Sequence, residues 1–512
     1  MDLSLNERAD GADRRVDRES RLDALAVAAF AIVLSAAGAA RPSLWFDEAA
    51  TISAATRSVS QLWDLIGHID AVHGLYYLGM HGWFAVFPAT EFWSRFSSCL
   101  AVGGAAGGVV VLGRQFSSRT VSVCAGVLFA ILPRITWAGI EARSYSWSTL
   151  AAVWLTVLLV AAIRRDRTAL WVSYGALLVV STVLNIFVVL MVIPHALAVA
   201  MLCDRRRTRA GWAAVTTAAV LIVVPFISWC RSQSFQVGWI SPLSLRTVAE
   251  VAMEQYFDHS LSFALLAAAV LIAPLLVKRL RPTDDGTRRL ALLAAAWVAA
   301  PTAVLLVYSA VSQPLYYPRY LCFTTPAMAL LLAVCVVAVA RSREWITAAL
   351  AVFALAATPN YITVQRGPYA KEGMDFSQVA DVISAHSSPG DCVIFDNTTS
   401  WKPGPIRPIT AARPGAYAHL VDPGRGTQAP QRNRLWDQHL GIWGVADQVR
   451  RCTVLWTVSE RDPSVPNRQS APHLQPGPRL DRAPAYQVPE SMGFHIVERW
   501  QFNFAQVVKS TR

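Results

Sequence analysis

Charged residues are scarce in this chain. Only 16% of its 512 residues are charged, whereas 54% are hydrophobic. Soluble globular proteins carry about 25% charged residues, so a single soluble core does not fit this composition. The balance is typical of a polytopic membrane protein.

Several sequence motifs are also missing. No CxxC or HExxH spacing occurs, so a dedicated structural metal site has no support in the sequence. The polar C-terminal part contains no GxGxxG loop, and we therefore assign no nucleotide to it. No internal repeat of the kind found in many transporter folds is evident. This argues against a transporter.

Cysteine is rare, with eight residues in the chain. Cys392 and Cys452 each begin a short apolar run in the polar C-terminal part. If these runs are neighbouring strands of a parallel sheet, the two sulfurs meet and form a disulfide in an oxidising compartment. Two free thiols are the alternative. The other six cysteines lie in or beside long apolar runs, where a packing role is expected.

Long apolar runs are the main feature that is present. A transmembrane helix needs roughly 20 apolar residues. About eleven such runs occur, at 22–40, 96–113, 120–138, 146–163, 168–184, 186–203, 211–229, 260–277, 290–311, 321–340 and 345–359. Lys and Arg gather in every second connection, which places the N-terminus in the cytoplasm and the C-terminus outside. The net charge of +12 is largely this topological signal and does not indicate nucleic-acid binding.

The fold class predicted is a polytopic α-helical membrane protein with a small external C-terminal α/β domain. We expect a cytoplasmic tail at 1–21, a transmembrane domain at 22–364 and the external domain at 365–512. In the last segment, helix, turn and strand patterns predict strands near 392–396 and 453–458 and a terminal hairpin. The stretch 461–486 is rich in loop residues.

The first external loop, 41–94, contains most of the candidate chemistry. "RPSLWFDEAAT" places Asp47 and Glu48 directly after the first apolar run, and "GHIDAVHGLYY" supplies Asp70 and His73. Residues 73–87 have helical periodicity but are too short to span, so we expect an interfacial helix. The alternative for the acidic pair is solvated loop charge or pairing with Arg41 and Arg57.

Two arginines on the outer side run against the positive-inside bias. "GIEARSYSW" carries Glu141, Arg143 and Tyr145, and "QPLYYPRYL" carries Arg319 and Tyr320. One explanation is a salt bridge to Glu141 or Asp70. The other is an anion at the membrane surface, because guanidinium groups and tyrosine hydroxyls suit phosphate oxygens. A phosphate at that depth is expected to belong to a lipid.

Taken in order, the motifs "FDEA", "HGLYYL" followed by "EFWSRFSSCLA", "EARSY" and "YPRYL" resemble the membrane glycosyltransferases of the GT-C superfamily. These enzymes use polyprenyl-phosphate sugars. Within them, the chain resembles the actinobacterial envelope mannosyltransferases of the dolichol-phosphate-mannose type. The resemblance covers most of the chain and includes the trailing external α/β domain.

The resemblance implies roles for individual residues. An acidic residue of the first external loop acts as general base, which assigns that role to Asp47, with Glu48 as support and Asp70 as a helper. The expected reaction moves mannose to an envelope glycan or lipoglycan, with inversion at the anomeric carbon. The donor phosphate would be held by Arg143, Tyr145, Arg319 and Tyr320.

Other candidates keep a structural alternative. Some superfamily members bind a divalent ion near the acidic pair, so Asp47, Glu48 and His73 are candidate ligands, although their spacing does not establish a metal site. His73 otherwise serves as a hydrogen-bonding loop residue. Tyr76 and Tyr77 either anchor the interfacial helix or stack on the acceptor sugar. His195 lies inside a predicted span and is a site candidate by default, with packing against a neighbouring helix as the alternative.

Several rival functions remain open at this stage. A polyprenyl-phosphate-arabinose-dependent arabinofuranosyltransferase and a protein O-mannosyltransferase fit the same pattern. A flippase for lipid-linked sugars belongs to a different class, as does an inactive scaffold that recruits envelope enzymes. Every version places the chain in the cell membrane with lipid partners and without nucleic acid.

Overall fold

The computed structural model describes residues 3–399 and 406–512. They form two compact units. The first unit contains the residues up to Ala39, then Asp70–Tyr76 and Arg95–Gln365. The second contains Ala40–Ile69, Tyr77–Ser94 and Arg366–Arg512. The first external loop, which the sequence prediction assigns to the membrane domain, is therefore divided between the units.

The helices follow the chain from end to end. In order they are α1 (Leu3–Ala36), α2 (Phe46–Ala55), α3 (Val59–His68), α4 (Gly74–Phe84), α5 (Glu91–Phe116), α6 (Arg119–Ile131), α7 (Pro133–Ala138), α8 (Tyr145–Arg165), α9 (Thr168–Leu184), α10 (Val192–Leu202), α11 (Arg206–Ser232), α12 (Leu245–Ala249), α13 (Gln255–Phe257), α14 (Leu261–Leu276), α15 (Asp285–Val311), α16 (Thr325–Ala340), α17 (Arg343–Pro359), α18 (Phe376–His386), α19 (Ile409–Ala412), α20 (Ala446–Val449) and α21 (Pro484–Glu490). Short 3-10 segments include Ile186–Met191 and Pro318–Thr324.

The first unit is an all-helical bundle with one extended apolar core. All eleven predicted spans fall on helical segments. Among the described residues, six helices are long and apolar enough to cross a membrane, and they are Glu91–Phe116, Tyr145–Arg165, Arg206–Ser232, Asp285–Val311, Pro318–Ala340 and Arg343–Gln365. A pair bent by 93°, Leu245–Phe257 with Leu261–Leu276, would make a seventh. The count of eleven spans stays a prediction.

One predicted span is interrupted. The segment 120–138 divides into α6 and α7 at Leu132, because Pro133 cannot donate a helical hydrogen bond and occupies the first turn of α7. The break leaves Arg134 at the start of a new helix rather than inside a continuous span.

The second unit contains a five-stranded sheet in the order β1-β2-β5-β4-β3. The strands are β1 (Cys392–Phe395), β2 (Val454–Glu460), β3 (Arg468–Leu474), β4 (His495–Gln501) and β5 (Ala505–Thr511). β1 and β2 are parallel, and the other pairs are antiparallel. The predicted strands near 392 and 453 and the terminal hairpin are confirmed.

The strand β3 lies within 461–486, a stretch that the sequence predicts to be rich in loop residues. Its sequence, RQSAPHL, is polar and contains Pro472, so no alternating apolar pattern marks it as a strand. An edge position explains the composition, because an edge strand tolerates a proline and has few buried side chains.

The disulfide left open by the sequence is formed. Cys392 and Cys452 are bonded, with Cα atoms 6.0 Å apart. Cys392 pairs with Leu455 across the parallel strands β1 and β2, which brings the chain preceding each strand together. The six other cysteines are buried thiols that form no disulfide.

Helices also occupy the first external loop, where the sequence predicts only one. α2 has Asp47 and Glu48 in its first turn, where carboxylates favour the positive end of the helix dipole. α3 begins with a capping box in which the Ser58 hydroxyl accepts from the Gln61 amide and the Gln61 side chain accepts from the Ser58 amide. α4 confirms the helix predicted at 73–87.

Candidate active site

The acidic pair lies on α2, which the core of the second unit holds in place. Ala49 and Ile52 of α2 pack with Trp45 and with residues of α18 and the sheet. Asp47 is partly exposed, whereas Glu48 is completely buried. Asp47 is therefore the carboxylate of the pair with access to solvent.

Arg57, the proposed alternative partner of the acidic pair, anchors the end of α2. Its Nε donates to the Ser53 carbonyl at 3.0 Å, and its Nη2 donates to the Arg434 carbonyl. Burial lowers the pKa of Arg57, and Tyr77 and Asp437 partly offset this effect. Tyr77 belongs to the same unit as the acidic pair and its side chain is completely buried.

The remaining predicted site residues belong to the first unit. Around the first turn of α8, Tyr145 packs with Ala138 and Cys322, and Tyr320 packs against that cluster. The "EARSY" and "YPRYL" segments, 176 residues apart in sequence, are thus brought together as the prediction of one donor site requires. Arg143 and Arg319 are 6% and 9% exposed.

The Arg319 guanidinium lies over aromatic rings. Its central carbon is 4.8 Å from the Tyr317 ring centroid and 5.9 Å from that of Trp239. Tyr320 stacks on Phe187 with 5.5 Å between centroids. These contacts help to fix the Pro318–Thr324 segment.

Glu141 is completely buried, and its backbone carbonyl accepts a hydrogen bond from the Ser98 hydroxyl at 2.7 Å. The Cys99 thiol donates to the Gly139 carbonyl at 3.2 Å. Both contacts tie the loop before α8 to α5. Glu141 therefore lies in the part of the loop that orients Arg143.

The segment 70–76 contains a turn at Asp70 followed by the start of α4. Asp70 adopts the left-handed conformation with φ 61°, which Asp tolerates better than most residues. The Ala71 amide donates to the Gln233 side chain at 2.9 Å, which fixes the turn that contains half-buried His73. Tyr76 is completely buried and meets Trp147 of α8 edge-on at 5.7 Å.

Sequence reasoning missed a buried ion pair beside the donor segments. Arg134 Nη1 lies 3.0 Å from Asp258 Oδ1, and Arg134 stacks 4.9 Å from the Trp137 ring centroid. Trp137 in turn packs against the cluster of Tyr145 and Cys322, so the ion pair lies beside the donor segments. The available signal was an arginine inside a predicted span, which marks a functional candidate by itself.

The Arg134–Asp258 pair is part of a larger buried network. The Gln365 amide donates to Asp258 Oδ2 at 2.9 Å and to the Pro133 carbonyl at 2.8 Å. The Asn360 amide donates to the Asp258 carbonyl at 2.6 Å. The network holds the sharp bend between α13 and α14, where Asp258 has φ 46°.

Two further candidates have clear outcomes. His195 is completely buried, with its ring nitrogens 3.1 Å from the Thr156 hydroxyl and 3.0 Å from the Tyr174 hydroxyl. The packing role against neighbouring helices is confirmed.

No group of three or more His, Cys, Asp or Glu side chains in the described part of the chain is arranged to hold a metal ion. The divalent ion expected near Asp47 and Glu48 therefore stays a prediction, and we derive no step through one.

No protein-family model and no curated protein matches the chain. Among solved structures, ArnT from Cupriavidus metallidurans bound to undecaprenyl phosphate has a TM-score of 0.59 and 12% identity, covering 94% of this chain and 97% of ArnT. The chain has a fold similar to that of ArnT. The apo state of ArnT gives a TM-score of 0.57 at 11% identity over the same shares of the two chains.

A second fold likeness is to the arabinofuranosyltransferase AftD from mycobacteria. The TM-score is 0.50 at 14% identity, over 96% of this chain and 40% of AftD. Together with ArnT, this likeness supports the fold class expected from the GT-C resemblance. It does not support the mannosyl type.

Proposed function

We propose that the chain is a membrane glycosyltransferase that moves a sugar from a polyprenyl-phosphate donor to a hydroxyl group of an envelope glycan or lipoglycan. The observation that carries this proposal is the set of buried arginines around the start of α8. It occurs in a fold similar to that of ArnT, whose crystal structure holds undecaprenyl phosphate. The reaction takes place at the outer membrane surface.

The donor phosphate is held by Arg143 and Arg319, with the hydroxyls of Tyr145 and Tyr320 as further donors. Buried guanidinium groups bind phosphate oxygens through charge-assisted hydrogen bonds. They also stabilise the negative charge that develops on the phosphate as it leaves.

Asp47 is the general base. As the acceptor oxygen attacks the anomeric carbon, its proton moves to the Asp47 carboxylate and the bond from that carbon to the phosphate oxygen breaks. The products are the inverted glycoside and polyprenyl phosphate. The partial exposure of Asp47 and complete burial of Glu48 support this assignment, with Glu48 in a supporting role. Asp70, in its left-handed turn, serves to position the loop.

Mannose is the sugar expected from the family resemblance. Arabinofuranose is a second candidate, because the fold likeness to AftD extends over 96% of this chain. Both donors present the same lipid phosphate, so the arginine site accommodates either. The sugar and the acceptor therefore have to be decided by assay.

The test uses purified protein in lipid nanodiscs with labelled polyprenyl-phosphate mannose and, separately, polyprenyl-phosphate arabinose. Envelope glycan extract serves as acceptor. We expect transfer by the wild type from one donor and its loss in Asp47→Asn, with Asp64→Asn of α3 as the matched control. Transfer that persists in Asp47→Asn would remove the base assignment. If the lipid donor crosses the membrane of a proteoliposome and no sugar is transferred, the protein is a flippase and not a glycosyltransferase.

A further inference from the structure

A pocket of about 390 Å³ lies inside the second unit, between α2, α18 and the chain that follows α19. Its floor includes the buried side chains of Ile52 and Ala380. Its rim carries the exposed residues Thr56, Asp381 and Ser384. The volume falls within the range of roughly 300–1,000 Å³ typical of small-molecule sites.

The charges beside the pocket are fixed by one arginine. Arg413 Nη1 lies 2.6 Å from Asp381 Oδ1, and Arg413 Nη2 lies 2.6 Å from Glu91 Oε1. Burial lowers the pKa of Arg413, but the carboxylates of Glu91 and Asp381 outweigh it and raise the pKa overall. Two carboxylates facing one guanidinium leave a net negative charge, which disfavours an anionic ligand.

Asp381 remains available to a ligand. Its side chain is 63% exposed although one oxygen is bonded to Arg413, and an ionised carboxylate has about four acceptor positions. Ser384 lies one helical turn further along the same face of α18. The rim therefore offers an oriented carboxylate and hydroxyls above an apolar floor, which suits a ligand with vicinal hydroxyl groups and an apolar CH face.

We infer that this pocket binds a neutral sugar residue of the glycan acceptor. The inference rests on the proposed function, and it names the acceptor subsite of that reaction. Asp381 accepts hydrogen bonds from two sugar hydroxyls, Ser384 and Thr56 contact further hydroxyls, and Ile52 and Ala380 meet the ring face.

The position of the pocket on α2 connects it to the acidic pair. Glu48, Ile52 and Thr56 follow one another at intervals of four residues and so lie along one side of α2. At 1.5 Å per residue, Ile52 lies about 6 Å and Thr56 about 12 Å along the axis from Glu48. Asp47 adjoins Glu48 in the first turn of α2 and lies about 8 Å along the axis from Ile52.

The test compares Ser384→Trp, which fills the pocket, with Ala385→Trp, an exposed position on the same helix that does not line it. Full-length proteins in nanodiscs are examined by saturation-transfer NMR with mannotriose and with an arabinofuranosyl trisaccharide. Thermal unfolding checks that both variants are folded. Asp381→Asn provides a second variant that retains the volume of the pocket.

We expect saturation of one trisaccharide by the wild type and by Ala385→Trp, and its loss with Ser384→Trp and Asp381→Asn. In transfer assays, the acceptor KM of Ser384→Trp should rise by roughly tenfold or more with the donor KM unchanged. If trisaccharide binding follows this pattern but no sugar is transferred, the acceptor subsite stands and the proposed reaction is wrong.

If Ser384→Trp transfers sugar with an unchanged acceptor KM, the proposed reaction stands and the acceptor subsite is wrong. Equal saturation in all proteins, or none with the wild type, also overturns it. Competition by inorganic phosphate against the trisaccharide would do the same, because the pocket would then be an anion site.

Discussion

Arg134 and Asp258 form an ion pair inside the first unit, with 3.0 Å between Nη1 and Oδ1 and side chains only 6% and 8% exposed. The pair joins the break between α6 and α7 to the bend before α14. It therefore connects two interruptions of the helical bundle that each lie beside the proposed donor site.

Asp258→Asn should destabilise the protein by about 3–5 kcal/mol, because the Arg134 charge remains buried without its counter-charge. Asn tolerates the left-handed backbone at this position, so the effect is electrostatic. The double variant Arg134→Gln with Asp258→Asn should recover most of the loss. Denaturant unfolding in detergent micelles measures all three proteins.

The matched control is Arg119→Ala. Arg119 also pairs with an aspartate, at 2.7 Å from Asp23, but its side chain is 56% exposed. An exposed pair is screened by solvent, so we expect only a small loss of stability. Equal losses in Asp258→Asn and Arg119→Ala would contradict the assigned role of burial.

Arg143→Gln and Arg319→Gln should each lower kcat/KM for the lipid donor by about 100- to 1,000-fold, the usual cost of removing one donor to developing negative charge. Steady-state transfer assays with varied donor concentration measure the effect. Arg165→Gln serves as control, because Arg165 is exposed at the opposite end of α8. If Arg143→Gln and Arg319→Gln both have unaltered donor kinetics, the donor phosphate binds at a different site.

Removal of the disulfide by Cys392→Ala with Cys452→Ala should destabilise the second unit. The bond closes a sequence separation of 60 residues, for which loop-closure entropy gives about 4 kcal/mol. Limited proteolysis reports the loss. Dithiothreitol should weaken the wild type to the same extent and leave the double variant unchanged. A reductant effect on the double variant would assign the loss to another site.

The sequence predicts the helical segments well because a membrane span has a composition that few other structures share. Each of the eleven apolar runs is helical in the structure. The apolar composition of the predicted span also hides Arg134, because one charge does not interrupt a hydrophobic run of this length. Pro133 marks the break only once the chain is known to begin a new helix there.

The candidate site is predicted in part. The order of motifs along the chain predicts that "EARSY" and "YPRYL" belong to one site, and Tyr145 and Tyr320 lie in one cluster in the structure. Asp258 could not be predicted, because its partner Arg134 is 124 residues away and the bend that positions it depends on the Gln365 network. Contacts between distant helices leave no pattern in a single sequence.

Asp375 should make the stability of the second unit fall as the pH rises from about 4 to 6. Burial raises its pKa from 3.8 to about 6, although the Ala505 and Phe504 amides donate to it. The folded state therefore holds the proton that the unfolded state releases, which costs about 3 kcal/mol across this window. Asp375→Asn should remove this slope, whereas exposed Asp447→Asn should retain it. Urea titrations between pH 4 and 7 measure the slopes, and identical profiles for wild type and Asp375→Asn would show that another group controls the transition.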